Sequence, residues 1–257
     1  MKEPIVWSCG YGLNSIALAV GLVEHGESYD LAMFADTGGE KPATYAYQEI
    51  LAPYLTKHGL PPVMRVWKKN QDMTPAKTLE QDCLDRKALP SIAYGFKSCS
   101  DHYKLRPQEA IIKHWQPAVQ AWERGETVIK LIGFDAGESH RALRVTETKQ
   151  YHNRYPLIEW NWGREECLEA ITRAGLPVPP KSACFFCPSS KKAEVLELAR
   201  TYPALFDRAV AIEQNADITS LKGLGRNYAW KDLWAGNNLE LYPDMPDMPC
   251  MCFEGES

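Results

Sequence analysis

The chain has 257 residues and a formal net charge of −4, from 29 Lys and Arg against 33 Asp and Glu. Hydrophobic residues make up 45%, charged residues 24% and aromatics 11%, which places it among globular proteins and outside the disordered, collagen-like and membrane classes. The mild acidity argues against a protein that coats nucleic acid through many phosphate-neutralising cations, while leaving room for a local basic cleft.

The N-terminal run Met1 to Trp7 has no basic region, long apolar stretch or cleavage site, so no secretion is expected. The longest apolar stretch, 16–23, is far below the roughly 20 residues of a bilayer span. A cytoplasmic protein without membrane partners follows. There, disulfides are rare and paired cysteines more often bind metal or do redox chemistry, which bears on the chain's eight cysteines.

Short apolar runs alternate with amphipathic stretches, the pattern of βαβ units and a parallel sheet. Strands are expected at 5–8, 31–35, 63–66 and 128–132. Helices are expected at 14–25, closed by Gly26, at 42–58 with Pro53 as a kink, and at 107–124 with a kink at Pro117. A polar turn spans Gly133 to Arg141. Tyr155-Pro156-Leu157-Ile158 reads as a short strand, 164–174 as a helix, and 191–213 as helical. The end, 243–257, lacks periodicity and reads as irregular.

Ser8-Cys9-Gly10-Tyr11-Gly12-Leu13-Asn14-Ser15 lies between a buried strand and a helix, where glycines and the free N–H groups of the helix start favour a phosphate. The loop has no lysine, which excludes a Walker P-loop. Ser15 stands where a dinucleotide fingerprint wants a third small residue, although Asp36 could take a ribose hydroxyl. The remaining readings are a pyrophosphate-binding loop for a mononucleotide, with Ser8 and Ser15 joining the backbone, and a tight turn without ligand.

Four stretches then occur in order. They are Ser8-x-Gly10-x-Gly12-x-Asn14-Ser15, Phe34 to Tyr45 with Asp36-Thr37-Gly38-Gly39-Glu40, Gly133-Phe134-Asp135-Ala136-x-Glu138-Ser139-x-Arg141, and Tyr155-Pro156-Leu157-Ile158-x-Trp160. Together they resemble the PP-loop ATP pyrophosphatases, in the branch similar to phosphoadenosine-phosphosulfate (PAPS) reductases, over roughly Ile5 to Ser190. The resemblance implies an α/β fold of the adenine nucleotide alpha-hydrolase type. Its parallel five-stranded sheet has helices on both faces in residues 1–160, and 161–257 form a helical, cysteine-containing appendage.

It also implies ATP held by Ser8, Gly10, Tyr11, Gly12, Leu13, Asn14 and Ser15, by Asp36, Thr37 and Gly38, and by Gly133, Phe134, Asp135, Glu138 and Ser139. An acceptor oxygen would attack the α-phosphorus and pyrophosphate would leave, giving an adenylated intermediate for sulfur transfer or for nucleotide or nucleic-acid modification. Such chemistry needs cations. Arg141, Lys104, Arg144 and Arg106 are candidates, and Arg141, Lys104 and Asp36 stand as the catalytic set. Asp36, Glu40, Asp135 or Glu138 could hold Mg²⁺. A surface pair of Glu138 with Arg141, and solvated charges at Lys104 and Arg106, are the plainer readings.

The chain departs from true PAPS reductases in carrying Pro249-Cys250-Met251-Cys252-Phe253-Glu254-Gly255 in place of their C-terminal Glu-Cys-Gly-x-His segment, which weakens a sulfonucleotide-reductase reading. Asn14 replaces the usual loop aspartate. A nucleotide-binding regulator without turnover is the rival from another class.

Cys184-Phe185-Phe186-Cys187 can bind one metal or cluster corner, or cycle through a disulfide. Its late position after Pro177-Val178-Pro179-Pro180 disfavours a thioredoxin-like role. By resemblance to cluster-bearing relatives, Cys99, Cys184, Cys187 and one of Cys250 and Cys252 would bind a [4Fe-4S] cluster, with Zn²⁺ as the alternative and unrelated buried thiols as the plain one. Cys9, Cys83 and Cys167 read as packing. A sulfur-donor protein and a homodimer are compatible partners.

Overall fold

A computed structural model describes residues 2–70, 72–145 and 147–236. The elements in order are β1 (Ile5–Ser8), α1 (Leu13–Glu24), β2 (Leu31–Asp36), α2 (Pro42–Lys57), β3 (Val63–Trp67), α3 (Leu79–Asp85) and a 3-10 turn, Ser91–Tyr94. Then come α4 (Ser98–Ser100), a π-helical turn (Asp101–Leu105), α5 (Arg106–His114), α6 (Gln116–Glu123) and β4 (Val128–Leu131). A 3-10 turn (Ala136–Glu138) leads into α7 (Ser139–Ala142), β5 (Tyr151–Arg154), α8 (Pro156–Glu159) and α9 (Arg164–Arg173), followed by α10 (Lys192–Thr201), α11 (Pro203–Asn215) and α12 (Trp230–Gly236). No described helix is long and apolar enough to cross a membrane.

The five strands form one all-parallel sheet in the order β3-β2-β1-β4-β5, so the α/β class with helices on both faces is as expected. Alternate strand residues face opposite sides. Trp7, Ala32, Phe34 and Leu131 join α1, α2 and α9 in one core, and Val6, Met33, Val66 and Val128 join Ile112 of α5 and Ala118 of α6 in another. From β1 the chain winds outward to β2 and β3, then returns across the other face to β4. β1 and β4 therefore flank the point where strand order reverses, the place where open α/β sheets bind ligands.

Four strands stand at the expected apolar runs, within a residue. The expected strand at Tyr155–Ile158 is instead the helical turn α8, because Pro156 has its φ fixed for a first helical position and has no N–H to give a ladder. The fifth strand is Tyr151-His152-Asn153-Arg154, whose polar residues suit the edge of a sheet. The expected single helix at 107–124 is two, with extended backbone at Trp115 (ψ 117°) ahead of Pro117, and Pro203 likewise separates α10 from α11.

A third core gathers Leu79, Cys83, Leu89, Ala93 and Tyr103 with Phe185, Phe186 and residues of α10, α11 and α12. The packing thus does not divide at residue 160. Cys167 and Ile171 of α9 belong to the sheet, and 79–103 belong with the C-terminal helices. The tail expected to be irregular lies outside the described residues, as do Cys250 and Cys252.

Candidate functional site

The loop after β1 turns through Tyr11, whose φ of +54° lies in the left-handed region although its side chain is buried. That conformation costs on the order of 1–3 kcal/mol for a residue other than glycine, and the Tyr11 ring is held by an edge contact with Phe34 at 5.0 Å. Gly12 then caps α1 and, having no side chain, makes no side-chain hydrogen bond to the helix start. Open N–H groups and the positive end of the helix dipole make such a start an anion site. The N–H of Gly10 is donated to Ser15 Oγ at 3.0 Å.

Across the switch point, Asn14 Nδ2 donates to Glu138 Oε2 at 2.9 Å and to Asp135 Oδ2 at 3.3 Å. Arg141 pairs with Glu138, lies with its guanidinium 4.1 Å from the centre of the Phe134 ring, and is 4% exposed. Gly133 brings the β4 loop against α1, and a Cβ there would sit 3.4 Å from the carbonyl oxygen of Asn14. Asn14, Phe134, Asp135, Glu138 and Arg141 therefore form one cluster beside the glycine loop. Arg144, expected as a further cation, follows the short helix α7 and is exposed.

Asp36, Thr37 and Gly38 belong to a neighbouring network. The Asp36 carboxylate accepts from Tyr45 Oη at 2.8 Å, Gly38 N at 2.8 Å and Arg65 Nε at 2.7 Å, and Arg65 Nη2 adds a second contact. Its oxygens are engaged in holding the turn after β2, where Gly38 has φ +75°.

Lys104 lies elsewhere again, with Nζ 3.3 Å from Glu40 Oε1, whose side chain is fully buried. Thr37 Oγ1 stands 3.4 Å from that oxygen and 3.1 Å from Cys184 Sγ. Glu40 Oε2 has no hydrogen-bond partner among the described residues. Arg106 pairs with Asp101 at 2.8 Å on the surface.

Thr37 and Lys104 also line a cleft of about 510 Å³, open to solvent, which contains Cys99, Cys184, Cys187 and Lys97 between walls that include Leu79, Ile92 and Phe186. Burial pushes the thiols of Cys184 and Cys187 up, and Glu40 adds to the effect at Cys184. Three of the expected sulfur ligands thus share one cleft. Their chemistry suits zinc or an iron-sulfur cluster, yet among the described residues no three His, Cys, Asp or Glu side chains stand together closely enough to hold one ion. Cys9, Cys83 and Cys167 are buried thiols pushed up to about 12 by desolvation, as suits packing residues.

Sequence reasoning missed Ser182, whose Oγ donates to the carbonyl of Gly10, and Arg65, which secures Asp36. Neither carried a signal, since each is one polar residue whose partner is distant in the chain. The chain matches no model of a protein family and no curated protein.

Proposed function

We propose that the chain is a PP-loop ATP pyrophosphatase of the PAPS reductase-like branch, with the adenine nucleotide alpha-hydrolase fold, which binds ATP, adenylates an acceptor and releases pyrophosphate. The observation that supports this most is the convergence at the β1/β4 switch point of an uncapped glycine loop with Asn14, Asp135, Glu138 and Arg141.

In this reading the N–H groups of Gly12, Leu13 and Asn14 receive phosphate oxygens without reorganisation, and Ser8 and Ser15 stand at either end of the loop. Asp135 and Glu138 would hold Mg²⁺, which would supply positive charge against the phosphates when bound. Arg141 is fixed by Glu138 and Phe134, so its charge is delivered at a set position beside the departing pyrophosphate. Phe134 and Ser139 are further contacts of the nucleotide in this reading. Asp36 acts by holding the β2 turn in shape.

Lys104 sits with the cysteine cleft, which suits an acceptor end of the site. Cys99, Cys184 and Cys187, with Cys250 or Cys252, would hold a [4Fe-4S] cluster or Zn²⁺ there, and such a group would handle sulfur or staple the tail. In this reading the adenylated acceptor serves sulfur transfer or the modification of a nucleotide or nucleic acid. A sulfur-donor protein, a homodimer and a cytoplasmic setting belong to the same reading.

Incubation with ATP, Mg²⁺ and candidate acceptors should give AMP and pyrophosphate. ADP and phosphate would overturn the mechanism, binding without turnover would favour the regulator, and turnover of a sulfonucleotide with a thiol donor would favour a reductase. Gly12→Val should abolish nucleotide binding by blocking backbone approach.

A further inference from the structure

The phosphate loop and the cysteine cleft are joined through one short segment, residues 182–187. Its first residue donates from Ser182 Oγ to the carbonyl of Gly10, and the Ser182 Cβ lies 3.5 Å from where a side chain on Gly12 would begin. Three residues on, Phe185 N donates to Gly39 O at 2.8 Å, and Glu40 and Cys184 form an antiparallel bridge. Cys184 Sγ is 3.1 Å from Thr37 Oγ1, and the Phe186 ring fills the place of a side chain on Gly39. Every one of these contacts falls on a residue of the β1 loop or of the turn after β2, and the segment's other surface lines the cleft through Cys184, Phe186 and Cys187.

We infer that Ser182 is a positioning residue for the phosphate loop and that, through it, nucleotide binding and the accessibility of the cysteine cleft are coupled. The inference rests on the nucleotide-site reading proposed above. Its physical basis is the carbonyl of Gly10. That group lies in the backbone that must present N–H donors to a phosphate, and its orientation is set by a hydroxyl on the segment that carries both cysteines. A ligand that orders the loop therefore orders the segment, and a group bound between the cysteines favours the loop geometry that accepts phosphate. Such coupling is reciprocal by linkage. A packed segment with hydrogen bonds at both ends is the kind of contiguous connection that carries it.

The test uses the full chain, stripped of bound metal by a chelator and then returned to buffer containing Mg²⁺, with an ATP analogue carrying a methylene between its α- and β-phosphorus atoms and iodoacetamide as thiol probe. Two quantities are read: analogue affinity by calorimetry, and the rate at which Cys187 and Cys99 are alkylated, followed by peptide mass spectrometry. The expected result is that saturating analogue slows Cys187 alkylation several-fold in the unmodified chain. In Ser182→Ala analogue affinity falls about tenfold, the order expected for one lost hydrogen bond, and saturating analogue no longer protects Cys187. Ser182→Thr, which keeps the hydroxyl, restores both.

Binding of the analogue without any change in alkylation overturns the coupling and leaves the nucleotide reading standing. Protection that persists in Ser182→Ala also overturns it, since the nucleotide would then be covering the cleft directly. Unchanged affinity in a folded Ser182→Ala protein overturns the positioning role. No binding of the analogue to the unmodified chain overturns the nucleotide reading itself.

Discussion

Asn14 Nδ2 lies 2.9 Å from Glu138 Oε2, a contact between residues 124 apart that pins the start of α1 to the loop after β4. Because the same amide also reaches Asp135, it is a neutral donor shared by two carboxylates. Replacing it by a third carboxylate removes that donor and adds like charge.

Asn14→Asp is therefore expected to lower stability by about 1–3 kcal/mol in chelator, the cost of leaving partners unsatisfied beside a new charge. Added Mg²⁺ is expected to restore much of the loss if Asp135 and Glu138 face a cation site. Thermal unfolding with and without Mg²⁺ measures both, and an equal loss in the two conditions would show that no cation gathers there.

Gly21 sits inside α1, where helix propensity alone makes alanine better by about 1 kcal/mol. Packing reverses the sign. A Cβ on Gly21 would lie 2.2 Å from Trp160 Cζ3, in a ring that also stacks on His25 at 4.3 Å. Gly21→Ala is expected to destabilise by about 1–3 kcal/mol, as overpacking does. A urea midpoint that moves upward would refute it.

The thiols should divide in reactivity. With values raised to about 12, Cys9, Cys83 and Cys167 have at pH 8 a thiolate fraction of only about 10⁻⁴, and all three are buried. Iodoacetamide at that pH is expected to leave them unmodified in the native protein and to label them after denaturation, while Cys99 is labelled without unfolding. Early labelling of Cys167 would mean that α9 opens from the sheet.

Acid should weaken one specific junction. Hydrogen bonding to Arg154 holds the Glu27 carboxyl below its ordinary value of 4.5, with Arg154 also bound to Glu159. A depressed folded-state value gives stability that is present above the unfolded value and is lost as pH falls through the folded one. Arg154→Met is therefore expected to lower the melting temperature at neutral pH and to flatten its fall below about pH 4.5. Parallel curves for the two proteins across that range would contradict the pairing.

The sheet was largely legible in the sequence because four of its strands are apolar runs, of which β1 and β2 are buried along nearly their whole length. β5 was not, since an edge strand made of Tyr151, His152, Asn153 and Arg154 has no apolar alternation. At the candidate site, glycines next to an apolar strand announced the tight loop before α1, and the cysteine pair announced the cleft. The partners that orient them were silent. Arg65 looks like any strand residue, Ser182 like any polar residue of a proline-rich connector, and pairing over 172 positions leaves no local pattern. Asp36 was visible as a carboxylate at a strand end, but its engagement by Tyr45, Gly38 and Arg65 depends on where β3 falls beside β2.

The third core has an assembly order written into it. Leu79, Cys83, Leu89 and Tyr103 leave the ribosome early, yet the side chains that cover them, from Val195 and Phe206 to Trp230 and Leu233, are made much later. The sheet core can close once α9 is complete. The apolar surface of 79–103 stays bare for a further stretch of synthesis, a period in which such surface invites association with other chains. A cut at residue 160 would make that exposure permanent, so residues 1–160 are a poor candidate for expression alone.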